Sequence, residues 1–208
     1  MDKHELTELL NDVAAGRVSA DNAALRLKIQ PFMEIGDYAK VDMHRGVRQG
    51  VPEVIFGAGK TKEHILGIAQ TMLENGQETV LITRLSEEAA EYVGQALALD
   101  YNKLAMTGVI GKKPEPTGKG RIVVATGGTS DIPVAEEAAV TAETLGNEVV
   151  RLYDVGVSGI HRLMAHLDII MGARAIVAVA GMEGALPSVI GGLADCPVIA
   201  VPTSVGYG

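Results

Sequence analysis

The fold is decided by the stretch Arg121-Ile-Val-Val-Ala-Thr-Gly-Gly-Thr-Ser-Asp-Ile-Pro-Val-Ala-Glu-Glu-Ala-Ala-Val-Thr-Ala-Glu-Thr-Leu145, whose apolar run stops at two glycines and resumes at helical spacing. This order is typical of a strand, a loop and a helix that bind phosphate. Glycine lets the backbone approach an anion, and the helix directs its free N–H groups and positive dipole end at the loop. A tight turn in which Ser130 or Asp131 caps the helix would give the same pattern, so both interpretations stay open. The candidate phosphate ligands are Gly127, Gly128, Thr129, Ser130 and Asp131.

Strand and helix patterns alternate after this loop, and the strands are nearly continuous runs of Val, Ile and Ala. Such runs indicate burial on both faces, so we expect a parallel sheet in a three-layer α/β domain. Ligands of such sheets bind at the carboxyl ends of the strands. The predicted strands are 122–126, 148–153, 175–180 and 197–201, and the predicted helices are 132–145, 159–167 and 185–193.

A second, smaller α/β unit is predicted on the amino-terminal side. Residues 111–120 hold three glycines, two prolines and three lysines, which is typical of a linker and divides the chain into domains 1–113 and 114–208. Apolar residues at helical spacing predict two short helices within residues 2–29. The other predicted elements are strands 38–42, 53–56, 78–83 and 105–110 and helices 61–75 and 86–99.

Composition excludes several classes of protein. The 208 residues are 47% hydrophobic, which is enough for one large core or two small ones. A net charge of −8, two Phe and no Trp argue against a nucleic-acid surface. Because the amino terminus is polar and no apolar run reaches the roughly 20 residues of a membrane span, we expect a cytoplasmic protein without membrane contact. The single cysteine, Cys196, forms no internal disulfide, and its position at the start of a strand predicts inert packing.

A second polar segment leaves the strand that ends at Tyr153 and reaches the same sheet edge through two glycines. It carries Asp154, Ser158, His161 and Arg162. A histidine there can transfer a proton near neutral pH, and arginine can hold a phosphate or carboxylate. The alternative for His161 is a structural role at the start of a helix.

The strand that ends at Ala180 leads to Glu183, the only charged residue between Arg174 and Asp195. A carboxyl group in so apolar a setting is expected to favour its protonated form, which suits proton transfer. Capping of the following helix is the alternative. Gly181 and Gly184 flank the acid.

Polar residues also gather in the amino-terminal unit. Lys40, Asp42 and His44 alternate along an extended segment, so we predict that they share one face and bind a ligand. The alternative is that they form a solvated charged edge. The stretch Gly57-Ala-Gly-Lys-Thr61 enters a helix like a phosphate loop, although it lacks the full Walker spacing. Further positive charge comes from Arg45, Arg48 and Lys60.

Three stretches together resemble the LarB family, the pyridinium-3,5-biscarboxylic acid mononucleotide synthases of nickel-pincer cofactor biosynthesis. They are residues 37–61, 127–139 and 180–188. The C-terminal half is more distantly similar to the carboxyaminoimidazole ribonucleotide mutases of purine synthesis, so the resemblance implies a PurE-like C-terminal domain. Gly159-Ile160 stands where those mutases have one residue before their His-Arg pair. Their pattern puts Ser130 and Asp131 at the phosphoribosyl group, Ser158, His161 and Arg162 at the reacting ring, and residues 181–187 around CO2.

The LarB resemblance implies carboxylation of the pyridinium ring of nicotinic acid adenine dinucleotide and hydrolysis of its phosphoanhydride. The implied substrates are this dinucleotide and CO2 or bicarbonate. Magnesium is expected to assist, and no organic cofactor is expected. The mutase-like domain implies a large homo-oligomer. Glu183 falls on the family's essential acid. The family's nucleophilic cysteine lies beyond the loop 203–208, so the C-terminal domain is expected to be incomplete in this sequence, and the metal ligands are not identified. A purine-type mutase and a non-enzymatic nucleotide sensor are the alternatives.

Overall fold

The computed structural model describes residues 3–29, 32–42, 45 and 49–204. The amino-terminal unit begins with helices α1 (Lys3–Ala14) and α2 (Ala20–Ile29) and an antiparallel hairpin of β1 (Phe32–Ile35) and β2 (Ala39–Asp42). A four-stranded sheet follows, in the order β3-β4-β6-β5. Its elements are β3 (Ile55–Phe56), α3 (Lys62–Glu74), β4 (Thr79–Thr83), α4 (Glu87–Ala96), β5 (Leu99–Asn102) and β6 (Thr107–Gly111).

This first sheet is mixed. Strands β3 and β4 are parallel, whereas β4, β6 and β5 are antiparallel neighbours. Helices α3 and α4 cover one face, where Ile65, Met72 and Val93 pack against Val80 and Ile82. The predicted helix 86–99 is too long, because Leu97 is already extended and Leu99–Asn102 pair with β6.

The C-terminal unit contains the parallel sheet that the apolar runs predicted, in the order β10-β9-β7-β8. One face is covered by α5, and the other packs against α6, α7 and α8, so the three-layer α/β architecture is confirmed. Its elements are β7 (Arg121–Thr126), α5 (Ile132–Thr144), β8 (Glu148–Leu152), α6 (Ile160–Met164), α7 (Leu167–Met171), β9 (Ala173–Ala180), α8 (Ala185–Leu193) and β10 (Val198–Pro202).

The predicted helix 159–167 is wrong in its bounds. A 3-10 turn occupies Val157–Gly159, and α6 ends at Met164. His166 leaves the helical region at φ −118° and ψ 26°, and α7 starts anew at Leu167.

Helix α5 lies between the two sheets. Ala135 and Ala139 pack on the C-terminal sheet, while Val140 packs against Leu81 and Val109 of the amino-terminal sheet. A helix buried on two sides needs apolar residues around most of its circumference, and α5 has them. The predicted linker 111–120 starts one residue too early, because Gly111 is the last residue of β6, and residues 112–120 form neither helix nor strand. The two units therefore meet through a shared helix.

Among the described residues, no helix has both the length and the apolar character to cross a membrane.

Candidate functional site

The carboxyl ends of β7, β8 and β9 are tied together by backbone hydrogen bonds. The N–H of Gly127 donates to the carbonyl of Val179 at 2.9 Å, and the N–H of Val155 donates to that of Thr126 at 3.0 Å. A side chain on Gly156 would place its Cβ 2.5 Å from the carbonyl oxygen of Gly127. Glycine is therefore required where these two loops touch.

The phosphate-loop candidate is a 3-10 turn, Thr129–Asp131, that runs directly into α5. Thr129 and Ser130 are exposed, as a ligand-facing pair would be. Asp131 is only 5% exposed. Its carboxylate accepts from the N–H of Gly128 at 2.9 Å and from Oγ1 of Thr203 at 2.7 Å. Asp131 thus fixes the shape of the loop and links it to the end of β10.

The second polar segment starts at Asp154, which has a left-handed backbone at φ 58°. Its N–H donates to Oγ1 of the fully buried Thr126 at 2.9 Å, and its carboxylate pairs with the guanidinium of Arg162. Both partners of this pair are about half exposed. Ser158 and His161 are also exposed near the start of α6. Asp154 therefore orients an arginine that stays accessible to a ligand at this edge.

Glu183 lies in a turn between β9 and α8. The N–H of Gly184 donates to the carbonyl of Gly181 at 3.0 Å, and Met182 and Gly184 have positive φ angles of 53° and 63°. The expected apolar burial is wrong, because Glu183 is exposed and its neighbour Met182 is 64% exposed. None of the described side chains caps α8, so the capping alternative is not observed either. The turn instead presents the carboxylate to solvent at the sheet edge.

The polar residues of the amino-terminal unit are partly paired with each other. Lys40 and Asp42 lie on one face of β2, opposite the buried Val41, and Lys40 forms an exposed ion pair with Glu34 at 2.9 Å. Arg45 contacts Glu53 at 3.2 Å and Gln49 at 3.0 Å. The predicted ligands His44 and Arg48 lie outside the described residues.

The loop Gly57–Lys60 joins β3 to α3, and Thr61 caps that helix through the N–H of His64. Nζ of Lys60 donates to the carbonyl of Phe56 at 2.8 Å. The N–H of Gly57 donates to the carbonyl of Thr83, next to Arg84, which pairs at 2.8 Å with Glu137 in the second turn of α5. The glycine loop of the first sheet and the loop 127–131 of the second therefore lie at the same end of the shared helix.

A charged network that the sequence did not reveal supports the end of β8. Arg151 pairs with Glu136 and Glu143 of α5, and the hydroxyl of Tyr153 donates to Glu136. Burial, together with that hydrogen bond, raises the pKa of Tyr153 above its ordinary value. Tyr153 stays a neutral donor, and it precedes Asp154 directly.

Cys196 is half-buried and packs against the C-terminal core before β10, at the edge opposite the loops. Within the described ranges there is no group of three or more His, Cys, Asp or Glu residues that could hold a metal ion.

Two family models match this chain, one over each of the two structural units. The family model described as the LarB/PurE-like N-terminal domain matches residues 32–112, and the one described as AIR carboxylase matches residues 121–207. An uncharacterized protein of Methanocaldococcus jannaschii is 41% identical over 211 residues, covering 98% of this chain and 82% of that protein.

Proposed function

The chain belongs to the LarB family, and we propose that it carboxylates the pyridinium ring of nicotinic acid adenine dinucleotide and hydrolyses the phosphoanhydride. The products would be pyridinium-3,5-biscarboxylic acid mononucleotide and AMP. Its two domains are typical of enzymes of the LarB/PurE-like superfamily, and the specific reaction is our proposal.

One observation carries the proposal: two glycine loops, one from each sheet, lie at the same end of α5. A dinucleotide has two nucleotide halves joined by a pyrophosphate, and two glycine loops that each lead into a helix suit such a ligand. In the proposal, Ser130 and its neighbours bind the phosphoribosyl group of the nicotinate half. The loop Gly57–Lys60, with its positive charge, serves the adenylate half.

The chemistry of the ring defines what the site must supply. A pyridinium carbon is electrophilic, so a nucleophile must first add to the ring and convert it to an enamine. The enamine carbon then forms a bond to CO2, a base removes the ring proton, and expulsion of the nucleophile restores the pyridinium. In the family that nucleophile is a cysteine, a role that we do not assign to Cys196 because it lies at the opposite edge of the sheet.

Glu183 is our candidate base. Its side chain is exposed in the turn at the sheet edge, where it can reach the ring of a bound substrate and act as the acceptor of the ring proton. Arg162, oriented by Asp154, would hold a carboxylate or phosphate of the substrate, and His161 is a second candidate for proton transfer.

We include magnesium in the proposed reaction because the resemblance to the family implies it. Mg²⁺ is commonly bound by substrate phosphates with one or two carboxylates. Because the described residues hold no larger ligand cluster, we derive no step through the ion.

The match of residues 121–207 to the AIR carboxylase model favours one alternative, a mutase of carboxyaminoimidazole ribonucleotide. A mononucleotide substrate would leave the matched amino-terminal domain without a ligand.

The test is incubation of the full-length protein with nicotinic acid adenine dinucleotide, magnesium and ¹³C-bicarbonate, followed by mass spectrometry. We expect AMP and a mononucleotide that carries one ¹³C carboxylate. Turnover of carboxyaminoimidazole ribonucleotide with no dinucleotide product would identify a mutase instead. Binding of the dinucleotide without turnover of either substrate would identify a nucleotide sensor.

A further inference from the structure

Arg84 directly follows β4, at the same end of the first sheet as the loop Gly57–Lys60. Its backbone is left-handed at φ 52°, a conformation that residues other than glycine rarely adopt. This turn lets the fully buried Leu85 enter the core of the amino-terminal unit, while the guanidinium of Arg84 reaches α5. Glycine would form the same turn without strain, so the arginine side chain itself needs an explanation.

The ion pair with Glu137 explains only part of this side chain. Nε of Arg84 donates to the carboxylate of Glu137, and the shorter of the two contacts is 2.8 Å. Within the described part of the chain, the two terminal nitrogens of the guanidinium have no hydrogen-bond partner. The side chain is 49% exposed, and an ion pair so open to water contributes little to stability. Glu137 therefore orients a guanidinium whose terminal N–H groups can still bind a ligand.

Arg84 lies between the two glycine loops. A Cβ on Gly57 would be 3.0 Å from the carbonyl oxygen of Arg84, so the first loop contacts the backbone of this residue. On the other side, Glu137 is six residues beyond Asp131, about 9 Å along the axis of α5. The side chain of Lys60 is exposed in the first loop. Two cationic side chains are thus placed near these loops in a protein whose net charge is −8.

We propose that Arg84 binds the phosphoanhydride of the dinucleotide, an inference that rests on the proposed function. The planar fork of a guanidinium matches two phosphate oxygens, and arginine stays charged at physiological pH. If the phosphoribosyl group of the nicotinate half binds at the loop 127–131 and the adenylate half at the loop Gly57–Lys60, the diphosphate passes between them, beside Arg84. Arg162 is a second half-exposed arginine that a carboxylate orients, in its case that of Asp154.

The test is isothermal titration of the full-length protein with inorganic pyrophosphate, a probe that needs no turnover. We expect Arg84→Gln to weaken binding by about tenfold, since it removes a charge-assisted contact. Arg84→Lys should bind with intermediate affinity, because the ammonium group keeps the charge but not the fork. Arg174→Gln is the matched control, because it removes the same charge from an exposed arginine at the opposite end of the C-terminal sheet, near the start of β9.

A second readout separates binding of the anhydride from a structural role. Arg84→Gln should raise the KM for the dinucleotide and leave the affinity for nicotinic acid mononucleotide, which has no anhydride, unchanged. The inference is overturned if the wild type does not bind pyrophosphate, if either Arg84 variant binds it as tightly as the wild type, or if Arg174→Gln weakens binding equally. Those results would leave turnover of the dinucleotide by the wild type intact. Pyrophosphate binding through Arg84 without such turnover would contradict the proposed function alone.

Discussion

Two buried threonines show how the surroundings of one hydroxyl decide its contribution to stability. Thr107 and Thr126 are both fully buried, but within the described part of the chain only Thr126 has a hydrogen-bond partner, the N–H of Asp154 at 2.9 Å. We predict that Thr126→Val lowers the free energy of unfolding by about 1–3 kcal/mol, because a backbone donor loses its acceptor. Thr107→Val should leave that free energy unchanged or raise it slightly. Urea unfolding of both variants measures the difference, and equal destabilisation would contradict it.

Glu183 is the residue on which the proposed chemistry depends most. We predict that Glu183→Gln keeps the affinity for nicotinic acid adenine dinucleotide but loses most product formation, because the amide has the same shape and cannot accept the ring proton. Glu148→Gln serves as the control, since it removes the same charge from an exposed residue at the amino end of β8. Calorimetry and a product assay measure the two effects. Normal turnover of Glu183→Gln would exclude the role of base.

Some site residues could be predicted from the sequence, and others could not. The loop residues 127–131 and Asp154 follow from the rule that parallel strands present their carboxyl ends at one edge. The contact of Thr203 with Asp131 joins residues 72 positions apart, so no local pattern could reveal it. The exposure of Glu183 was missed because Ala180 before the turn and Leu186 after it are buried, while the turn itself projects outward together with Met182.

At the scale of elements, the continuous apolar runs predicted the parallel sheet and the helix 185–193 correctly. Strand β5 was missed because its residues continue a helix-compatible pattern, and only pairing with β6 makes them a strand. Strand β1 was also missed, and its place is set by pairing with β2 across a short turn. Tertiary pairing decided the state of both segments, as it commonly does for strands.

Contact between the loops after β7 and β8 gives an element-scale prediction. Gly156 has φ −60° and ψ 153°, which any residue adopts, so only the Cβ contact with the carbonyl of Gly127 opposes a side chain there. We predict that Gly156→Ala separates the loops, costs about 1–3 kcal/mol of stability and weakens nucleotide binding. Gly191→Ala in α8 is the control, because its Cβ meets nothing within 4 Å and alanine favours the helix. Thermal unfolding and calorimetry measure both effects, and wild-type behaviour of Gly156→Ala would show that the contact is not needed.

For the whole molecule, α5 makes the stability of one sheet depend on the other. Val140 is 4% exposed and Ala139 is fully buried, and these adjacent residues of α5 pack against different sheets. If the amino-terminal sheet unfolds, Val140 loses its cover, and if the C-terminal sheet unfolds, Ala139 does. Each event exposes apolar surface on a helix that the remaining sheet still needs, so partial unfolding is disfavoured. We infer that the two units unfold together.

Hydrogen exchange tests this inference with a matched pair of variants. Val140→Ala acts on the shared interface, whereas Val93→Ala removes the same two methyl groups from the fully buried core of the amino-terminal unit. Each deletion should cost about 1–3 kcal/mol. Because unfolding of either unit uncovers α5, we predict that Val93→Ala lowers the protection of β7 amides as much as that of β6 amides, and that Val140→Ala does the same. Protection of β7 that stays at the wild-type level in Val93→Ala would mean that the C-terminal sheet, with the loop 127–131, remains folded when the other sheet opens.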